Sequence, residues 1–411
     1  MTPQDLQFSP FIAAGYACAI YLFMFGVAWS VTRIGLVGRD VIPTQGRYGS
    51  LDGLRGVLAV GVLVHHSFTS YVYFLTGNWT WSSSTILNHL GQTTVAMFFM
   101  ITGFLFTLKA MSMRIDWKRL YASRVARLFP LYALIVCVVF VLALSRSSAG
   151  HWERPLLIAS EFLQWISFVC FGRPDINGYP MSWTLIAGVN WSLKFEVIFY
   201  LFAVPLLHAA SRLMASRKLL RVALAILGAL LVVRLLWLNT HGGSLLYATH
   251  FLCGIVTAYA YADPQVRRFM QSRPFRVAAG ILAFSLFFLS NANGSASIAV
   301  TLVLFMAVVG GSSIGGLLNT RPALWLGDIS YGIYLIHGLI LWLVLSALRS
   351  HGLLQPLDFG RFALLMLGVG LIVVLLATTT YVRLERPIMD LFKRGHEGIP
   401  RNAGRTSQRL A

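Results

Sequence analysis

Apolar residues fall along this chain in runs too long for the core of a soluble domain. Eleven stretches carry almost no charge: 11–31, 53–73, 91–108, 128–144, 192–210, 219–238, 245–261, 275–291, 296–317, 329–348 and 362–382. A bilayer hydrocarbon core about 30 Å thick takes roughly 17 to 25 helical residues to cross, so the pattern predicts an all-α polytopic membrane protein. A twelfth run, 155–170, is shorter and contains Glu161 and Gln164. Hydropathy alone leaves open whether that run crosses.

Composition agrees with the pattern: 57% of the 411 residues are hydrophobic, 11% are charged, and the mean hydropathy is +0.71. Soluble domains carry about a quarter charged residues. The remaining charge is strongly positive, 33 Lys and Arg against 14 Asp and Glu, which first suggests a nucleic-acid partner. The placement of those residues excludes it, because short cytoplasmic loops collect Lys and Arg. Lys109, Arg114, Lys118, Arg119, Arg124 and Arg127 gather between the third and fourth runs, whereas residues 76–90 hold no basic residue. Further clusters lie at Arg212 to Arg221, at Arg267 to Arg276, and from Arg383 to Arg409.

Between the external loop at Arg146 and the internal loop at Arg212 the chain must cross an odd number of times. Only 192–210 is long enough for that crossing, so 155–170 is read as a re-entrant or interfacial segment of an external region. The expected topology places the N-terminus outside and the C-terminus in the cytoplasm. Residues 1–10 contain no Lys or Arg, so the charged start of a cleaved signal is missing and the first run is expected to stay as an anchor.

Three divisions follow: an N-terminal membrane extension over 1–48, a membrane domain over 49–390, and a basic, disordered cytoplasmic tail over 391–411. Cys18, Cys137, Cys170 and Cys253 show no paired spacing, which suggests neither a disulfide framework nor a metal site. Trp152, Glu153, Trp165, Asp175, Tyr179 and Trp183 make the region after Ser145 aromatic and acidic. It reads either as a sugar-stacking platform or as ordinary interfacial anchoring.

Ionisable groups inside apolar runs are costly and therefore candidates for function. Arg55 and His66 lie eleven residues apart on one run, which is three helical turns and a rise of roughly 16 Å on a single face. Arg55 would sit at the cytoplasmic mouth and His66 deep in the membrane, with His65 turned well away. Glu196 falls at a depth similar to His66 and could hold its ring as a general base; Lys194 is an alternative partner for that carboxylate. Arg124 and Arg127 share a face at a cytoplasmic helix end, where with Arg55 they could grip phosphates or merely anchor the helix.

These residues carry a resemblance. Leu51-Asp52-Gly53-Leu54-Arg55-Gly56 running on to His66 resembles the Arg-x10-His signature of the bacterial membrane acyltransferase 3 family, the O-acyltransferases of surface and secreted glycans. Phe98-Phe99-Met100-Ile101-Thr102-Gly103-Phe104, Arg124-x-x-Arg127-Leu-Phe-Pro130 and Trp191-Ser192-Leu193-x-x-Glu196 are similar to further motifs of that family. So are the run from Gly327 to His337 and the closing Glu385-Arg386-Pro387. The resemblance covers about 49–390, with Thr102 in place of the usual Ser and an added N-terminal span before a ten-span core.

The resemblance implies transfer of an acyl group, acetyl foremost, from acetyl-CoA or another acyl-CoA acting as co-substrate, to a hydroxyl of a carbohydrate that could be lipid-linked. It implies no bound cofactor. His66 and Glu196 would be catalytic, and Arg55, Arg124, Arg127 and Tyr331 would hold the donor. For Tyr331, Tyr334 and His337, spaced at i, i+3 and i+6, helix packing and donor binding remain equal readings. Succinyl or other acyl groups, a small-molecule acceptor, and a transporter of the same helical composition stay open as alternatives.

Overall fold

The computed structural model describes residues 9–34, 49–112, 115–147, 152–213, 217–238, 243–354 and 357–397. Among them regular structure is helical, with a single isolated bridge pairing Ile176 and Tyr179. Helix α1 (Pro10–Arg33) is capped by the Ser9 hydroxyl, which accepts from Ile12 N. Then come α2 (Gly49–Thr76), α3 (Thr85–Ala110) and α4 (Trp117–Arg146), the last capped by Asp116. The amphipathic α5 (Pro155–Ile166) precedes a coiled segment that returns to the membrane helices.

The next crossing is built from α6 (Trp191–Ile198), a π-helical turn Phe199–Ala203, and α7 (Val204–Leu213). Helix α8 (Arg217–Leu238) lies at the periphery with 11% of its apolar window buried, against 83% for α2, 72% for α3 and 78% for the later α14 (Ser330–Ser350). The inner helices are therefore α2, α3 and α14. Around them lie α9 (Ser244–Ala262), the short α10 (Pro264–Gln271), α11 (Arg273–Ala283), α12 (Ser295–Val309), α13 (Arg321–Asp328), α15 (Phe359–Thr380) and α16 (Arg386–Glu397).

Nine helices among the described residues are long and apolar enough to cross a bilayer, two fewer than the runs in the sequence. The run at 275–291 is divided between α11 and a 3-10 turn, Phe284–Phe288. The run at 296–317 is helical only through Val309, because Gly310-Gly311 end it and Gly311, Ile314, Gly315 and Gly316 adopt positive φ. Fifteen residues rise roughly 22 Å, short of a full hydrocarbon core.

Helix α5, at 12 residues, is too short to cross, in keeping with an interfacial or re-entrant segment. Its Glu161 carboxylate accepts from Asn177 N at 3.0 Å, which accounts for an acidic residue in an apolar run. Residues 391–397, expected to belong to a disordered tail, instead continue α16 to Glu397, and that helix packs on α4. Residues 398–411, like 1–8 and 35–48 of the N-terminal extension, lie outside the described residues.

Glycine sets how closely the inner helices meet. A β-carbon on Gly53 would overlap the Leu318 carbonyl, one on Gly56 would lie 2.7 Å from the Ala323 oxygen, and one on Gly327 would overlap the Asp52 carbonyl. Helix α2 thus lies backbone to backbone against α13 and the turn before it, the small-residue contact that packs helices where lipid removes any hydrophobic drive. Gly103 and Gly254 do the same for α3 and α9. At the end of α9, Asp263 accepts from Gln265 N and Val266 N and from Arg221 Nε at 2.8 Å. Those bonds, the Arg221 one foremost, hold its carboxyl below the usual range, so the connection persists at neutral pH and weakens only in acid.

Replacing Gly53 by Ala should cost about 1–3 kcal/mol, the usual penalty of overpacking. Gly368→Ala on α15, whose new β-carbon meets nothing within 4 Å, should be neutral or slightly stabilising. Thermal unfolding of the detergent-solubilised protein compares the two, and an equal response would remove the close-approach account.

Candidate active site

Two cavities meet inside the bundle. The inner one is walled by α2, α3, α4, α6 and α14 through Arg55, Thr102, Arg124, Arg127, Glu196 and Tyr331. The other is lined by His65 and His66. Val95 and Tyr334 line both, so two side chains form the partition.

The inner cavity is cationic. Arg55 feels Arg127 and Arg124 as like charges and Asp52 and Glu196 as opposite ones. Among the described residues none of the three arginines closes a salt bridge, and Nη2 of Arg127 is buried without a hydrogen-bond partner. Arg124 is fixed by lying over the Phe106 ring, 5.4 Å from its centroid, a cation–π contact that leaves guanidinium N–H groups free. Below them Asp328, at the end of α13, is pushed up to about 6 by burial against the opposing influence of Arg127. An anion with several oxygens suits such a place, because guanidinium groups offer paired donors in fixed geometry.

Glu196 faces this cavity. Its carboxylate accepts from the Tyr200 hydroxyl at 3.0 Å and from the Thr102 hydroxyl at 3.5 Å. The expectation that it holds His66 is replaced by a different pairing: the Glu196 carboxylate goes to Tyr200 and Thr102, and the His66 ring goes to α14. The depth estimate placed both residues mid-membrane but could not say which face of α6 turns to which neighbour. Lys194 lies over the Phe195 ring at 5.0 Å and forms no ion pair with Glu196. Threonine at position 102 retains the hydroxyl that this contact uses.

His66 Nδ1 lies 3.0 Å from His337 Nε2, and His337 Nδ1 lies 2.9 Å from the Ile333 carbonyl. A carbonyl only accepts, so His337 Nδ1 carries a proton. In a neutral ring its Nε2 then accepts, and neutrality is required of a side chain that is 0% exposed with no carboxylate beside it. His66 Nδ1–H is therefore the donor, which leaves the Nε2 lone pair of His66 unprotonated. That is the tautomer a general base needs. His65 is locked elsewhere: its Nδ1–H donates to Leu87 O at 2.9 Å, in a slot that exists because Gly91 has no side chain to fill it.

Tyr331 and Tyr334 resolve differently. The Tyr331 hydroxyl donates to the Leu128 carbonyl at 2.7 Å, so it offers the cavity only its ring. Tyr334 donates to Val189 O at 2.9 Å and shares a 2.8 Å bond with Ser192, which pins the partition to the segment before α6. His337 was one of two open readings in the sequence. His250 on α9, also on the second cavity, was passed over, although a lone histidine in an apolar run is the same signal that singled out His66. In the aromatic region after Ser145, Trp165 is 0% exposed with Nε1 bonded to Pro174 O and Trp183 lies between Arg173 and Trp79, while Trp152 is exposed.

The acyltransferase 3 family, an acyltransferase domain, matches residues 48–382, and the chain belongs to that family. Among its relatives, YrhL of Bacillus subtilis, provisionally named a peptidoglycan O-acetyltransferase, is 27% identical over 82% of this chain and 54% of that protein. The peptidoglycan O-acetyltransferase OatA of Listeria monocytogenes is 25% identical over 73% of this chain and 50% of that protein. The O-acetyltransferase OatA of Staphylococcus aureus strain NCTC 8325 is 24% identical over 70% and 49%. The chain spans about half the length of these relatives. No solved structure matches.

Tyr331→Phe should lower stability by about 1 kcal/mol, the net worth of one buried hydrogen bond, while the cavity keeps its ring. Thermal unfolding in detergent measures it; an unchanged midpoint would mean that the Leu128 contact contributes nothing.

Proposed function

We propose that this protein is an integral-membrane O-acyltransferase that moves an acyl group, acetyl foremost, from acyl-CoA to a hydroxyl of a cell-surface or secreted carbohydrate. The observation that carries the reading is the pairing of an arginine-lined cavity with a second cavity holding a base-ready His66, the two sharing Val95 and Tyr334 in their linings.

In this reading Arg55, Arg124 and Arg127 take the phosphates of the donor from the cytoplasmic side, and its pantetheine arm occupies the inner cavity. The thioester comes to the Val95–Tyr334 partition. His66 Nε2 removes the proton from the acceptor hydroxyl as its oxygen attacks the thioester carbonyl. The tetrahedral adduct collapses with loss of the CoA thiolate, which takes the proton back from His66, so ester and free thiol are the products. The His66 imidazolium that forms is stabilised through His337, whose Nδ1–H stays on Ile333 O. Glu196, tied to Tyr200 and Thr102, sits on the donor side and orients the arginines there.

The relatives' names make peptidoglycan the first acceptor to try. The expected topology, N-terminus outside and C-terminus cytoplasmic in a bacterial inner membrane, supplies acyl-CoA to the arginines and glycan to the other side.

Membranes carrying the protein should transfer labelled acetyl from acetyl-CoA to peptidoglycan. His66→Ala at equal expression should reduce incorporation by at least about 100-fold, in line with loss of a general base. His337→Ala should lower kcat about 10- to 100-fold with little change in acetyl-CoA KM, and His337→Gln, whose side-chain oxygen can accept from His66 Nδ1–H, should restore most of it. Incorporation that survives His66→Ala would end the general-base assignment. A reporter inserted near residue 178 should be read from outside the cytoplasm; a cytoplasmic signal would reverse the sidedness and with it the route of the donor.

A further inference from the structure

The cavity that holds His66 differs in chemistry from its neighbour. No Lys, Arg, Asp or Glu lines it, so its ligand is uncharged where it is bound. Besides Tyr334, three aromatic side chains line the space: Trp81, 5.7 Å from the His65 ring, and the Trp191–Tyr247 pair, whose rings are 4.5 Å apart. Among them stand three polar side chains with no hydrogen-bonded protein partner among the described residues: Gln92, Asn293 and His250. His250 is 2% exposed, its ring stacks at 14° on Phe99, and its Nδ1 is buried and unbonded.

An unpartnered ring nitrogen in an apolar surround is costly, and every other histidine near it is engaged. His65 is bonded to Leu87, His66 to His337, and His89 to Thr93 and Leu289. Flat apolar rings interleaved with neutral donors and acceptors suit a ligand that has both an apolar C–H face and several hydroxyls. That is a pyranose ring.

We propose that this cavity is the acceptor subsite, that it takes an uncharged pyranose unit of a glycan, and that His250 is a positioning residue which hydrogen-bonds that sugar and aims its hydroxyl at His66. The assignment rests on the acyl-transfer reading for its role, but sugar binding itself requires no turnover. His250 on α9 and Asn293 before α12 come from elements that do not line the donor cavity, whereas Gln92 comes from α3, which lines both. Trp81 forms its outer wall.

Equilibrium dialysis of the detergent-solubilised full chain against a labelled peptidoglycan tetrasaccharide tests this, with acetyl-CoA binding measured on the same preparations. His250→Ala should weaken the tetrasaccharide tenfold or more and leave acetyl-CoA affinity unchanged, while His250→Gln, which keeps a donor and an acceptor, should stay within about threefold of wild type. Trp81→Ala should also weaken the sugar alone. Unchanged sugar affinity in His250→Ala overturns the proposal, and so does a parallel loss of both ligands, which would mark His250 as structural. A wild-type protein that does not bind the tetrasaccharide overturns it too, even if His66-dependent transfer to another acceptor persists. Sugar binding that depends on His250 without any acetyl transfer would leave this subsite standing and remove the acyl-transfer reading instead.

Discussion

A single hydrogen bond between two imidazoles, from His66 on α2 to His337 on α14, joins the two most buried regions of the bundle and sets the protonation of the ring that faces the second cavity. Its direction comes from the far end. The Ile333 carbonyl can only accept, so the proton on His337 is fixed, and with it the proton on His66. In water two neutral imidazoles would gain little from each other. Here the competing solvent is absent, and an unmade bond would leave a polar nitrogen buried.

That bond survives only if α2 and α14 keep their distance and rotation, and glycine provides this. Gly53, Gly56 and Gly327 let α2 lie directly against α13 and the turn before it, and α13 leads into α14 within two residues. Gly338, next to His337, brings α14 against the Ile186 backbone, which also carries the segment that anchors Tyr334 through Val189. The partition between the cavities and the histidine pair are thus held by the same contacts. A change that separates α2 from α13 would disturb the histidine pair and the wall together.

The two cavities differ as their ligands would. One concentrates three guanidinium groups with no salt bridge among the described residues, and the other has neutral polar groups between aromatic rings. The fixed cations thus line one cavity and the neutral, aromatic surface the other, with Val95 and Tyr334 common to both. Glu196, although at the depth of His66, turns toward Tyr200, Thr102 and the arginines.

The sequence by itself determined the helical membrane class, that α5 is too short to cross, and the grouping of Arg55 with Arg124 and Arg127, because hydrophobic length, charge sidedness and helical periodicity are local properties. His66 was legible for the same reason, as an ionisable group in an apolar run. What tertiary structure decided is which partner each buried group found. Glu196 took Tyr200 and Thr102 rather than His66, Tyr331 spent its hydroxyl on Leu128, and His337 rather than a carboxylate fixed the His66 tautomer. It also shortened the runs at 275–291 and 296–317, and placed His250, Trp81 and Trp191 around one space although they come from distant parts of the chain. Those outcomes depend on helix rotation and on backbone approach at glycines, and neither is encoded in the spacing of residues along a single helix.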